Sequence, residues 1–128
     1  MILNTKYMNV EKITAALSDG LLSFPITDMD AQGNFNETSY SERVKWFLQH
    51  EISAIFVAGG TGEFFSLSRE EYQKIVTAAT KTADRKMPVI SSVGRSIPEA
   101  IEFAKIAEDA GIDGLLLMPP YLTGCPPE

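Results

Sequence analysis

With 128 residues, 45% of them hydrophobic and 22% charged, the chain has the makeup of a folded globular protein and the length of one ordinary domain or of part of a larger one. A net charge of −6 and a pI near 4.8 argue against the basic face that nucleic acid requires, and no apolar run nears the ~20 residues of a membrane span. One cysteine, Cys125, excludes an internal disulfide and fits a reducing cytoplasm, while one histidine, His50, excludes a histidine-rich zinc site.

Met1 to Met8 lack the apolar stretch and cleavage site of a secretory signal and read as a loose tail. Asn9 caps a short helix to about Ser18, with Val10, Ile13, Ala16 and Leu17 at helical spacing, and Asp19-Gly20 breaks it. Leu21 to Thr27 reads as a first buried strand in which Pro25 removes one donor. Asp28 to Asn36 is turn-rich loop, and Glu37 to Glu51 is helical, with Tyr40, Val44, Phe47 and Leu48 as its apolar stripe. Asn36 or Ser39 caps that helix, and Ser39 with Glu42 fits a capping box.

Ile52 to Val57 is the second strand. Ser68 to Glu71 is a capping box, and Tyr72, Ile75, Val76 and Ala79 carry the next helix. Pro88 to Val93 is the third strand. Ser96 to Glu99 is another capping box with a proline in its first turn; Ala100, Phe103, Ala104 and Ala107 continue the helix, and Gly111 ends it. Leu115 to Met118 is the fourth strand, followed by Pro119 to Thr123 and no further helix.

The expected architecture is a leading helix and then (βα)(βα)(βα)β, with the continuous apolar strands of a sheet covered on both faces. It fits the first half of a (β/α)8 barrel or a small doubly wound sheet, and alternation alone does not choose. In the barrel case the two outer strands are open edges with uncovered apolar surface, and a marginal or associating species is expected from the chain alone.

The most informative stretch is Ala54 to Leu67, an apolar strand followed by Gly59, Gly60, Thr61, Gly62 and Glu63. No Gly-Lys-Ser/Thr follows, and no glycine lies three residues after Gly62, so it is neither a Walker loop nor a dinucleotide fingerprint. What remains is a tight turn with free N–H groups and the Thr61 hydroxyl, suited to a small anion such as a carboxylate. The plainer reading, a turn that simply needs glycine torsions, stands beside it.

This turn, with Pro25 and Thr27 ending the first strand and Pro120-Tyr121 after the fourth, resembles the dihydrodipicolinate synthase/N-acetylneuraminate lyase superfamily. The strings LSFPITDMDAQG, AGGTGEFFSLS and PPYLT are most similar to its 5-dehydro-4-deoxyglucarate dehydratase branch, and the resemblance runs from about Asn9 to Glu128. It implies a partial TIM-barrel domain over residues 9–128, from a cytoplasmic homotetrameric enzyme without metal or organic cofactor. Such enzymes bind a 2-keto acid as a Schiff base on a lysine. The branch dehydrates and decarboxylates 5-dehydro-4-deoxyglucarate to 2,5-dioxopentanoate. By position, Gly60 and Thr61 would hold the substrate carboxylate, and Tyr121 would fall in the segment whose tyrosine transfers protons. Two departures stand out: many members carry threonine or serine where this chain has Gly60, and the second aromatic of the family's pair falls on Leu122. An aldolase of the same superfamily and a non-enzymatic anion-binding module remain alternatives.

A Schiff-base lysine belongs at the carboxyl end of a strand, desolvated enough to be neutral. Lys6, Lys12, Lys45, Lys74, Lys81, Lys86 and Lys105 all fall on the tail, on helices or on helix-to-strand loops. The family's lysine comes from a later strand, so the chain alone is expected to be silent. Arg95, just past the third strand, can pair a distal carboxylate or stand solvated before the Ser96 cap. Glu63 can accept backbone N–H bonds in the turn or serve as a buried acid, and short-range carboxylate-to-backbone bonds favour the first. Ser91, Ser92 and Thr123 are weaker candidates for the mouth. His50, in a last helical turn, together with Cys125 and Trp46 reads as structural.

Overall fold

Local signals in the sequence lay down the helices. The computed structural model describes residues 7–119. Helix α1 (Val10–Ser18) starts where the Asn9 side chain accepts the Lys12 N–H, and α2 (Glu37–Leu48) starts where Asn36 accepts the Ser39 N–H. The Ser39–Glu42 box does not form, because Asn36 already takes that role three residues earlier and Ser39 lies inside the helix. Helices α3 (Arg69–Ala83) and α4 (Ile97–Ala110) both open with complete capping boxes, Ser68 with Glu71 and Ser96 with Glu99. Gly111 closes α4 at φ 81°, a left-handed torsion that glycine adopts without strain. His50 lies beyond the end of α2, its ring tilted by 37° against the half-exposed Trp46 at 4.0 Å between centroids.

Strands β1 (Leu21–Ser23), β2 (Ile52–Val57), β3 (Val89–Gly94) and β4 (Gly114–Met118) form one parallel sheet in the order β1-β2-β3-β4. The expected strand to Thr27 is cut short: Pro25 has no N–H to give, and the chain leaves the ladder after Ser23. Pairing puts Ser91 beside Val57 and Leu115, and Ser92 beside Leu116. Side chains alternate, so Ile55, Val57, Val89, Ser91 and Val93 face one way and Ala54, Phe56, Ile90 and Ser92 the other.

The first of those faces carries the helices. Ile55, Val57, Val89 and Val93 share one buried cluster with Tyr40 and Val44 of α2, Tyr72, Ile75, Val76 and Ala79 of α3, and Phe103 and Ala107 of α4. Sequential strand order with every connecting helix on one side is the pattern of a barrel wall; a doubly wound sheet reverses its order and covers both faces. On β4 the same helix-side row is bare, with Leu115 49% and Leu117 70% exposed. Tyr7 and Met8, read from sequence as loose tail, are anchored instead. The Tyr7 carbonyl accepts from Arg85, and the Met8 N–H donates to Asp113, whose other carboxylate oxygen takes the Val89 N–H. Among the described residues no helix is long and apolar enough to cross a membrane.

Candidate functional site at the carboxyl rim

All four strands point the same way, so Phe24, Ala58, Arg95 and Pro119 leave the sheet at one rim. That rim is where α/β proteins bind ligands. The segment after β2 dominates it. Ala58 turns left-handed at φ 48° and the chain doubles back, with Glu63 N–H donating to Gly60 carbonyl at 3.0 Å and Phe64 N–H to Gly59 carbonyl at 3.1 Å. A one-turn 3₁₀ segment, Phe64–Ser66, then leads to the Ser68 cap; it was not anticipated from the sequence.

The three glycines differ in what they do. A Cβ at Gly62 would sit 3.1 Å from Ala58 Cα and 3.2 Å from the Ala58 and Gly59 nitrogens, so the returning backbone would have to give by a few tenths of an ångström to admit one. Gly60 has nothing within 4 Å of where a Cβ would lie and an ordinary φ. Gly60 and Thr61 are exposed, and the N–H groups of Gly60, Thr61 and Gly62 and the Thr61 hydroxyl make no hydrogen bond among the described residues. Successive unengaged amides on a tight turn form a concave donor surface for an anion. The turn is held from behind by Thr27, whose hydroxyl donates to the Gly62 carbonyl at 2.7 Å, and by Phe24 stacked on Phe56 at 4.8 Å.

The loop after β1 is equally fixed. Arg43 donates to both oxygens of Asp28 at 2.7 and 2.8 Å and Ser39 adds a third bond, holding the Asp28 carboxyl below its usual range. Met29 bridges Phe35 across the loop, and the Asp28 carbonyl accepts the Asn36 N–H. This small hairpin lies where the sequence shows only turn residues.

The remaining candidates separate. Arg95 has φ 71°, and its guanidinium points inward: Nη2 donates to the carbonyls of Phe64 at 2.9 Å and Leu67 at 2.5 Å, the group lies over the rings of Phe64 and Phe103, and Nη1 is 3.8 Å from Glu99. An encounter with a distal carboxylate would draw it off these partners. Glu63 is left-handed and exposed, and among the described residues its carboxylate accepts no backbone N–H; only its main-chain carbonyl does, from Ser66 at 2.9 Å. Ser91 does not line the rim: it faces the helices, 2.9 Å from the Tyr72 hydroxyl. Ser92 faces the other way, its Oγ beside Gly59. Tyr121, Thr123, Cys125 and Lys6 lie outside the described residues. Of the other lysines, Lys12, Lys45, Lys74, Lys81 and Lys105 are on helices and Lys86 is between α3 and β3; none leaves a strand at this rim. Among the described residues no group of three or more His, Cys, Asp or Glu side chains could hold a metal.

Known proteins share this fold. The model of the dihydrodipicolinate synthetase family matches residues 17–128. The chain is 48% identical over 116 residues to a probable 5-dehydro-4-deoxyglucarate dehydratase of Pseudomonas putida (strain W619), and 49% identical over 116 residues to the protein of that description from Pseudomonas entomophila (strain L48). Each match covers 91% of this chain and 38% of the relative, so the chain spans well under half the length of these relatives. Dihydrodipicolinate synthase from Bacillus clausii superimposes with a TM-score of 0.80 at 28% identity, over 86% of this chain and 38% of that one. The chloride-inhibited dihydrodipicolinate synthase from Acinetobacter baumannii, solved in complex with pyruvate, gives 0.76 at 32% identity, over 80% and 35%.

Proposed function

Since the chain belongs to the dihydrodipicolinate synthetase family, we propose that it is the N-terminal part of a Schiff-base lyase that dehydrates and decarboxylates 5-dehydro-4-deoxyglucarate to 2,5-dioxopentanoate. The observation that carries this reading is the row of unengaged amides at Gly60, Thr61 and Gly62 on the carboxyl rim. In the proposal the Gly60 and Thr61 N–H groups and the Thr61 hydroxyl grip the carboxylate next to the keto group. They are rigid donors already turned toward the anion, so little reorganisation accompanies binding. With the acid fixed, the keto carbon is presented to an amine, and Tyr121 moves protons. The substrate is a sugar-derived keto acid, with no cofactor, and the working enzyme is a cytoplasmic homo-oligomer.

The reaction also needs a lysine that none of the described positions supplies at this rim, so the proposal places it on a strand beyond Glu128. Borohydride added with pyruvate should then leave no adduct on the 128-residue chain; a stoichiometric adduct would overturn this placement. For the reaction itself, Met1–Glu128 joined to the C-terminal remainder of the Pseudomonas putida relative should release carbon dioxide from 5-dehydro-4-deoxyglucarate. A folded chimera that instead cleaves keto-acid aldols would favour the aldolase reading, and one that binds pyruvate without any turnover would favour an anion-binding module.

A further inference from the structure

We propose that Arg95 is a positioning residue for the Gly60–Gly62 amides: it sets the shape of the carboxylate-binding turn from behind and does not touch the bound acid. The inference rests on the reading of that turn given above. Arg95 is the first residue after β3, yet its side chain reaches the segment after the neighbouring strand β2, bonding the carbonyls at both ends of Phe64–Leu67. Leu67 is 3% exposed, and its carbonyl accepts from nothing else among the described residues, so without the guanidinium a buried acceptor stands empty. The guanidinium also lies over the rings of Phe64 and Phe103, which are part of the main core, so the contact is anchored at both ends. Glu99, four residues on in α4, steadies the same group.

The direction of the side chain is tied to the backbone. A left-handed torsion is unfavourable for arginine, and glycine would relieve it. Here the torsion accompanies a side chain turned back under the turn instead of out over the rim. Phe64 in turn bonds the Gly59 carbonyl and precedes the Ser66 and Leu67 amides of the 3₁₀ turn, so the four-residue segment that Arg95 pins is continuous with the amide row.

The test uses the ¹⁵N-labelled 128-residue chain with pyruvate as probe. Three substitutions are compared: Arg95→Met, Arg95→Gly, which removes the guanidinium while relieving the torsion, and Arg95→Lys, which keeps one charged donor. Removing a charged donor from buried carbonyls should raise hydrogen exchange at Glu63, Phe64, Ser66 and Leu67 about tenfold or more in the Met and Gly variants, leave Val44 and Phe47 of α2 unchanged, and weaken the pyruvate response of the Gly60 and Thr61 amides about tenfold. Lysine should fall between. Unchanged exchange at those four amides with pyruvate binding lost would mean that Arg95 meets the acid directly, and the proposal would be wrong. Equal acceleration throughout α2 would reduce Arg95 to general stability and also overturn it. If exchange rises as expected but wild-type Gly60 and Thr61 ignore pyruvate, the clamp stands and the carboxylate reading falls.

Discussion

Two buried tyrosines allow the same atom to be deleted twice with opposite outcomes. Tyr40 on α2 is 1% exposed, and its hydroxyl has no hydrogen-bond partner among the described residues. Tyr72 on α3 is fully buried, with its hydroxyl 2.9 Å from Ser91 Oγ. A buried polar group without a partner costs about 1–3 kcal/mol. Tyr40→Phe keeps the ring, which packs edge-on to Phe35, and discards only the costly atom, so it should stabilise by about 1 kcal/mol. Tyr72→Phe strands Ser91 in the core and should cost about 1–2 kcal/mol; adding Ser91→Ala removes both partners and should recover most of that loss. The two single variants therefore differ by roughly 2–3 kcal/mol, which at a urea slope of about 1–3 kcal/mol/M separates their midpoints by about 0.7–3 M. Urea unfolding followed by far-UV circular dichroism, at several protein concentrations to expose any association, gives the comparison. If Tyr40→Phe loses stability as Tyr72→Phe does, the reasoning about the unpaired hydroxyl is refuted.

The other expectations concern pH and the rim. Burial pushes the Tyr72 hydroxyl from 10.0 up to about 12 and raises Tyr40 as well. The unfolded chain then deprotonates first, so stability present below pH 10 is lost as pH rises through about 12, and Tyr72→Phe should flatten part of that decline in alkaline unfolding curves. Asp28 is held below 3.8 chiefly by Arg43, and Glu71 below 4.5 by the Ser68 N–H. Their contribution is present above those values and lost as pH falls through the lower folded ones; Asp28→Asn should shallow the acid limb of a midpoint-against-pH plot. Gly94→Ala would bring a Cβ within 2.6 Å of the Met118 carbonyl and should cost about 1–3 kcal/mol by prying β4 from β3. Gly60→Thr, whose Cβ meets nothing within 4 Å, should leave the unfolding free energy from urea titration within about 0.5 kcal/mol of wild type.

Much of the scaffold was legible because its determinants are local. Ser68 with Glu71 and Ser96 with Glu99 meet within one helical turn, so three-residue spacing predicts them, and β2 is framed by a helix end before it and glycines after it. What sequence could not supply was set by partners far along the chain. Arg95 wraps onto carbonyls 28 and 31 residues away, and nothing at its own position announces that. Ser91 and Ser92 are adjacent and chemically alike; only the register of β3 against its neighbours sends one to Tyr72 and the other toward Gly59. The Phe64–Ser66 turn was hidden because Glu63, a residue that rarely turns left-handed, does so here. The donor surface at Gly60 and Thr61 was visible as a possibility, whereas the distinction that Gly62 is the crowded one of the three comes from the return of the chain past Ala58.

Ala58, Glu63 and Arg95, at φ 48°, 59° and 71°, crowd left-handed torsions onto one rim. Each costs about 1–2 kcal/mol against a relaxed backbone, so this end of the sheet stores several kcal/mol that the packing beneath α3 and α4 must offset. Laboratory evolution aimed at heat resistance alone would drift toward glycine at these codons and return a sturdier scaffold with a slacker mouth. A screen for the proposed lyase activity, run on the chimera with the relative's remainder, would drive the same library the opposite way.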